Sequence, residues 1–281
     1  MLSHTNLLKA KENNEKLAMV TAYDYPSAKL SEQAGVDFLL VGDSLGMVVL
    51  GYDSTIKVTV EDMIHHGKAV KRGAPNTYLV VDMPFMSYQV SEEEALNNAK
   101  KIFQAIEPQA LKLEGGSEII PTVKRFLTSG IPVVGHIGLT PQSFNVLGGY
   151  KVQGKSEEQA QQLIKDAKEL EAAGVVALVL ECIPAKLAAY ISNELTIPTI
   201  GIGAGNGCDG QVLVYHDLLT YGVDRLAKFV KPYMDTNKKQ LEALEQYINE
   251  VKAQKFPADE HTFKIDDAVI DRLYGGKNEH N

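Results

Sequence analysis

The stretch "SEEQAQQLIKDAKELEAAGVVALVLECIP", residues 156–184, carries a complete structural unit. Ala160, Leu163, Ile164, Ala167 and Leu170 recur at three- and four-residue spacing, which places them on one face of a helix. Ser156 with Gln159 forms a capping box at its start, and Gly174 is the residue type that ends such a helix. The run that follows, "VALVLECIP", is short and apolar on both faces. That is the pattern of a strand buried inside a parallel sheet.

The same alternation extends outward in both directions. Strand candidates are "LAMVTAY", "VDFLLVGD", "TYLVVDMP", "ALKLEGG", "IPVVGHIG", "VALVLECIP" and "IPTIGIGAG", with a weaker eighth at "GQVLVYHDLL". A second capping box, Ser91 with Glu94, opens the helical segment "SEEEALNNAKKIFQAIE". Seven or eight strand–helix units in about 250 residues fit a (β/α)8 TIM barrel, with an open doubly wound sheet as the alternative. No composition break divides the chain, so residues 1–281 read as one barrel domain with a C-terminal extension from about residue 235. Within that extension "DTNKKQLEALEQYINEVKAQ" reads as a polar amphipathic helix and "KFPADEHTFKIDDAVIDRLYGGKNEHN" as a tail.

Composition narrows the functional classes. The 281 residues are 44% hydrophobic and 23% charged, the balance of a globular protein, and the net charge of −8 offers no basic field for nucleic acid or anionic membrane. The N-terminal segment lacks an apolar signal core, and no stretch reaches the ~18 apolar residues of a membrane span. These features predict a cytoplasmic protein acting on a small molecule. Cys182 and Cys208 form no C-x-x-C pair and read as buried small hydrophobes.

Acidic residues recur where the strands stop. Asp43 ends the second strand, Asp82 the third, Glu114 the fourth and Glu181 the sixth, with His136 near the end of the fifth. Any one of them could be an ordinary helix cap or surface ion pair. In a barrel, however, all these ends face one mouth, where the loops after the strands build the active site. Four converging carboxylates repel one another unless a cation or a bound proton compensates, which points to a metal. Oxygen ligands without a Cys cluster suit Mg2+. Lys112 shares a strand face with Glu114 at period two and could neutralise the acids, bind a carboxylate or form a Schiff base. His65 and His66 lie on a predicted helix and read as structural.

Two glycine motifs compete with this reading. "GYKVQGKS", residues 149–156, satisfies G-x-x-x-x-G-K-S and would make the chain a P-loop ATPase. Yet "LTPQSFNVLGG" separates it from the preceding strand, whereas a P-loop joins strand to helix directly. "GIGAGNG", residues 201–207, has Asn206 where a dinucleotide fingerprint needs its third glycine.

The blocks "TAYDYPSAKL", "VGDSLGMVVLGYDST", "VDMPFMSY", "LKLEGG", "GHIGLTPQS", "GGYKVQGK", "VLECIP" and "GIGAGNGCDGQVLV", in this order, resemble the ketopantoate hydroxymethyltransferase family from about Thr21 to His261. The resemblance implies a Mg2+-dependent barrel enzyme of pantothenate biosynthesis and a homo-oligomer. It implies that a one-carbon unit passes from 5,10-methylenetetrahydrofolate to 3-methyl-2-oxobutanoate, giving 2-dehydropantoate. Carried over by position, Asp43, Asp82 and Glu114 match the metal site. Asp43, Ser44, Asp82 and Lys112 match keto-acid contacts, and Glu181 matches the general base. An apolar setting, as "LVLECIP" suggests, would raise the pKa of that base. A non-catalytic keto-acid-binding barrel is the further alternative. The sequence departs from the family pattern at "IEPQA", residues 106–110, and at Gly207 and Cys208 in "NGCDG".

Overall fold

In the computed structural model, which describes residues 4–274, eight parallel strands close into a barrel in sequence order. They are β1 (Leu17–Thr21), β2 (Phe38–Val41), β3 (Tyr78–Asp82), β4 (Ala110–Glu114), β5 (Val133–Gly138), β6 (Ala177–Glu181), β7 (Thr199–Ile202) and β8 (Gly210–Leu213). The weak eighth candidate is therefore a strand, and it closes the ring through Met19 opposite Val212. The fold is the expected (β/α)8 barrel.

Local chemistry accounts for the helices between the strands. Ser156 caps Glu157–Ala173 by accepting a bond from the Gln159 N–H at 3.2 Å, and Gly174 ends it in the left-handed conformation. The Gln159 side chain accepts from Lys155 N, one residue before the expected box partner. Ser91 likewise accepts from the Glu94 N–H, at the start of Glu92–Ile106. That helix ends at Glu107, which takes the left-handed conformation (φ 56°) within the unusual "IEPQA" turn. His66, on the helix Val60–Gly73, holds the Tyr23 carbonyl at 2.6 Å through Nδ1.

Period-two alternation sorts each strand into two environments. Outward residues such as Leu39, Val81, Leu113, Leu178 and Leu180 pack under the surrounding helices. Inward residues form a second apolar cluster, with Phe38, Leu40, Tyr78, Val80, Ala110, Val134, Ala177 and Val179 filling the barrel. Leu7 and Ala10 of the N-terminal helix His4–Glu12 join this inner cluster. On three strands the inward column thus starts apolar and ends charged: Tyr78, Val80, Asp82 on β3; Ala110, Lys112, Glu114 on β4; Ala177, Val179, Glu181 on β6.

The chain divides into two compact units, one through Met234 and one from Asp235. The second holds the amphipathic helix Thr236–Lys252. The stretch read as tail contains a further helix, Asp267–Tyr274, where the Asp266 side chain accepts from the Ala268 N–H at 3.0 Å. "GYKVQGKS" is an irregular segment entering the helix Glu157–Ala173, with the short helix Phe144–Leu147 between it and β5. It lacks the direct strand-to-helix context of a P-loop. Among the described residues no helix is long and apolar enough to cross a membrane.

Candidate active site

The charged ends of the inward columns meet in a cavity of about 110 Å³ at the mouth where the strands finish. Asp43, Ser44, Asp82, Lys112, Glu114, His136 and Glu181 all line it, over a floor that includes Leu40, Val179 and Val212. Every site residue expected from the sequence is brought together.

Strand register explains the pairing. Asp82 lies opposite Lys112, and Glu114 opposite His136, so each acid stands beside a base on the neighbouring strand. Lys112 Nζ lies 3.2 Å from Asp82 Oδ1 and 3.6 Å from Glu114 Oε1. Asp43 sits just past β2 and donates its backbone N–H to Asp82 Oδ2 at 3.1 Å. Ser44 Oγ is 2.7 Å from the Tyr23 hydroxyl, which orients it at the cavity wall. On the β6 side, Glu181 Oε2 is 3.2 Å from His136 Nε2. The carboxylate of Glu181 therefore meets a histidine ring, where the sequence had suggested an apolar setting. Cys182 follows in the left-handed conformation (φ 47°) and turns the chain away.

Burial dominates the electrostatics. It raises Asp43 well above an ordinary carboxylate, and the charges of Glu114 and Asp82 add to it against Lys112 and a bond from Gln142. Asp82 is raised by burial too, with Lys112 opposing and Glu114 adding. Burial also acts on Glu114, but Lys112, His136 and the Gln142 N–H outweigh it and hold that group low. Lys112 resists the discharge that burial favours, because Asp82, Glu114 and Asp43 stabilise its ammonium. His136 is opposed by burial and by Lys112, yet its bonds to Glu114 and Glu181 push it up to about 9. Lys112 Nζ nevertheless approaches His136 Nδ1 to 3.0 Å, closer than the 3.5 Å to Glu114 Oε1. Nδ1 cannot both donate to Glu114 and accept from Lys112, so its role follows the protonation state of the ring.

Four carboxyl groups face one ammonium and one imidazole in a small cavity, so bound protons or a cation must offset part of their charge. The buried Asp82 Oδ1 makes no hydrogen bond but stands 3.2 Å from the Lys112 ammonium, so it already faces a cationic group. Among the described residues no three His, Cys, Asp or Glu side chains form a ready-made metal cage. Glu114 explains this, since Oε2 accepts from Gln142 N at 3.0 Å and Oε1 faces Lys112 and His136. Asp43 and Asp82 remain, and two carboxylates completed by water or substrate oxygens suit Mg2+.

Gln142 and Tyr88 escaped the sequence reading. The Gln142 side chain, in the loop after β5, is buried against Asp43 and Met83, and Tyr88 bonds both Gln142 and the backbone of Glu114. Neutral polar residues in loops carry no signal of this kind in a single sequence. A second hollow, of about 460 Å³, is lined by Val152, Cys182, Gly203, Gly205, Asn206, Gln211, Lys228 and Phe229. Cys182 and Gly203 directly follow Glu181 and Ile202 of the first cavity, which places this hollow just beyond the ends of β6 and β7.

A charged cavity at the loop-bearing mouth of a closed parallel barrel defines the class: barrel enzymes that act on small molecules. The family model for ketopantoate hydroxymethyltransferase matches residues 2–259, and the chain belongs to that family. It is 59% identical over 277 residues to a 3-methyl-2-oxobutanoate hydroxymethyltransferase of Bacillus cereus (strain ATCC 14579), covering 99% of this chain and 100% of that one. A protein of the same description from Geobacillus sp. (strain WCH70) is 60% identical, with 99% of each chain covered. The chain is accordingly a transferase of the pantothenate pathway whose reaction is on 3-methyl-2-oxobutanoate. Among solved structures it resembles a 2,3-dimethylmalate lyase of the PEP mutase/isocitrate lyase superfamily, with TM-score 0.57, 16% identity, and 98% of this chain and 92% of that one covered. A phosphonopyruvate hydrolase gives TM-score 0.60 at 12% identity, with 98% and 96% covered. At such identities the likeness is one of fold.

Proposed function

We propose that the chain joins the one-carbon unit of 5,10-methylenetetrahydrofolate, with one water, to C3 of 3-methyl-2-oxobutanoate, yielding 2-dehydropantoate and tetrahydrofolate. Asp43 and Asp82 would hold Mg2+, with Glu114 supporting the metal site from behind. Bound there, Mg2+ supplies Lewis-acid polarisation of the keto group, on the order of several kcal/mol. Lys112 and Ser44 bind and orient the keto acid. Glu181 removes the C3 proton. His136, with Nε2 3.2 Å from one oxygen of Glu181, stands beside that carboxylate and leaves the other oxygen for the substrate.

One observation carries this reading: Glu181 lines the same small cavity as Asp43 and Asp82 and is tied to His136. It can therefore serve as base while the aspartates hold the metal. The adjoining hollow offers room for the folate ring system beside the reacting carbon. The acidic net charge of −8 supports small-molecule partners over nucleic acid or anionic membranes. A homo-oligomer in the cytoplasm follows from the family resemblance.

Deuterium exchange at C3 tests the base. The Mg2+-loaded protein should exchange the C3 hydrogen of 3-methyl-2-oxobutanoate in D2O, read by NMR, and Glu181→Gln should slow this by ~10²–10⁴-fold while retaining keto-acid binding. Exchange at the wild-type rate in a mutant that binds substrate normally would transfer the role to His136.

A further inference from the structure

We infer that Gln142 is a positioning residue that presets Asp43 for the cation and fixes Glu114 beside it, an inference resting on the Mg2+ site proposed above. Its side-chain amide is fully committed. Nε2 donates to Asp43 Oδ2 at 2.8 Å and to the Met83 carbonyl at 2.9 Å, while Oε1 accepts from the Tyr88 hydroxyl at 2.8 Å and from Gln89 Nε2 at 3.3 Å. Only one orientation of the amide satisfies these partners, because the Met83 carbonyl and the carboxylate can only accept. A flipped amide would set oxygen against oxygen twice.

The consequence falls on Asp43. Its Oδ2 is pinned on the loop side, so Oδ1 is the oxygen left for the cavity. The backbone of the same residue acts on a second acid, since Gln142 N donates to Glu114 Oε2 at 3.0 Å. One residue of the β5 loop thus orients carboxylates that belong to β2 and β4. The loop reaches them because Gly138, at φ 97°, lets the chain close against the end of β6, where Leu139 N donates to the Glu181 carbonyl at 2.8 Å. A Cβ at Gly138 would collide with that carbonyl.

Removing the donor while keeping the volume should therefore loosen the metal site without dismantling the barrel. In Gln142→Met, Asp43 loses its restraint and can swing toward Lys112. Losing a hydrogen bond that orients a metal-binding carboxylate typically costs about 10–100-fold in metal affinity.

The test is calorimetric titration of the substrate-free protein with MgCl2, alongside thermal melting and activity as a function of Mg2+ concentration. Gln142→Met should bind Mg2+ at least 10-fold more weakly than wild type, and saturating Mg2+ should restore most of kcat. Gln142→Glu is isosteric and provides the reading if Gln142→Met does not fold; its carboxylate against Asp43 should alter Mg2+ affinity by a similar factor. Wild-type Mg2+ affinity in a folded variant overturns the positioning role alone. Absence of Mg2+ binding by the wild-type protein overturns the metal site and this inference with it.

Discussion

Lys112 and Asp82 lie directly opposite each other on β4 and β3, and the lysine ammonium stands 3.2 Å from a carboxylate oxygen that no hydrogen bond satisfies. Among the described residues Lys112 is the only ammonium lining this cavity of carboxylates. Lys112→Met leaves these acids buried without compensation. Breaking a buried pair in this way should cost ~3–5 kcal/mol at neutral pH, measured by urea unfolding. The neighbouring acids also keep the amine protonated and hence a poor nucleophile. Borohydride should therefore trap no substrate on Lys112, as read by mass spectrometry, and a reduced adduct there would replace metal-assisted enolisation with Schiff-base chemistry.

The metal-free protein should lose stability as pH rises. Asp43, raised above its unfolded value, binds a proton more tightly in the folded state, so its contribution is complete below the ordinary carboxylate pKa of about 4 and disappears as pH climbs through the raised value. Glu114, held low, has the opposite sign and acts only at more acid pH. Melting temperatures across pH 4–8 should fall with EDTA, by an amount that Mg2+ reduces. Chelation should abolish activity and Mg2+ restore it, while Asp82→Ala should lose metal-dependent keto-acid binding. Full activity in metal-free buffer would contradict the role assigned to Asp43 and Asp82.

Cys182 adjoins Glu181, yet its thiol should be nearly inert at neutral pH. Burial first, then the Glu181 charge, push it up to about 11. At pH 8 the thiolate is on the order of one molecule in a thousand. Iodoacetamide labelling of the native protein, followed by peptide mapping, should rise about tenfold per pH unit until the thiol titrates. Rapid labelling at pH 7 would place Cys182 in a different environment.

The hollow beside β6 and β7 should serve the one-carbon donor. Phe229→Ala and Lys228→Ala remove an aromatic face and a cation from its wall. The KM for methylenetetrahydrofolate should rise roughly tenfold, with C3 exchange of the keto acid unchanged, the signature of lost ground-state binding. Slower exchange with an unaltered donor KM would assign the hollow to the keto acid instead.

The sequence by itself determined the barrel and most of the charged set. Each strand is a local apolar run, and helices such as Glu92–Ile106 and Glu157–Ala173 carry their own caps, so neither needs a distant partner to be read. Period two alone put Lys112 and Glu114 on one face, and a parallel barrel turns all strand ends to one mouth. Tertiary structure decided how the acids differ. Glu114 became the acid held by Lys112 and Gln142, Asp82 was paired with Lys112, and Glu181 came within 3.2 Å of His136 on the neighbouring strand. Gln142 lies 99 residues from Asp43, and their bond exists only because the loop after Gly138 folds over the mouth. Local periodicity specifies which way a side chain points along its strand. Protonation, partner and orientation depend on desolvation and on neighbours that closure of the barrel brings together.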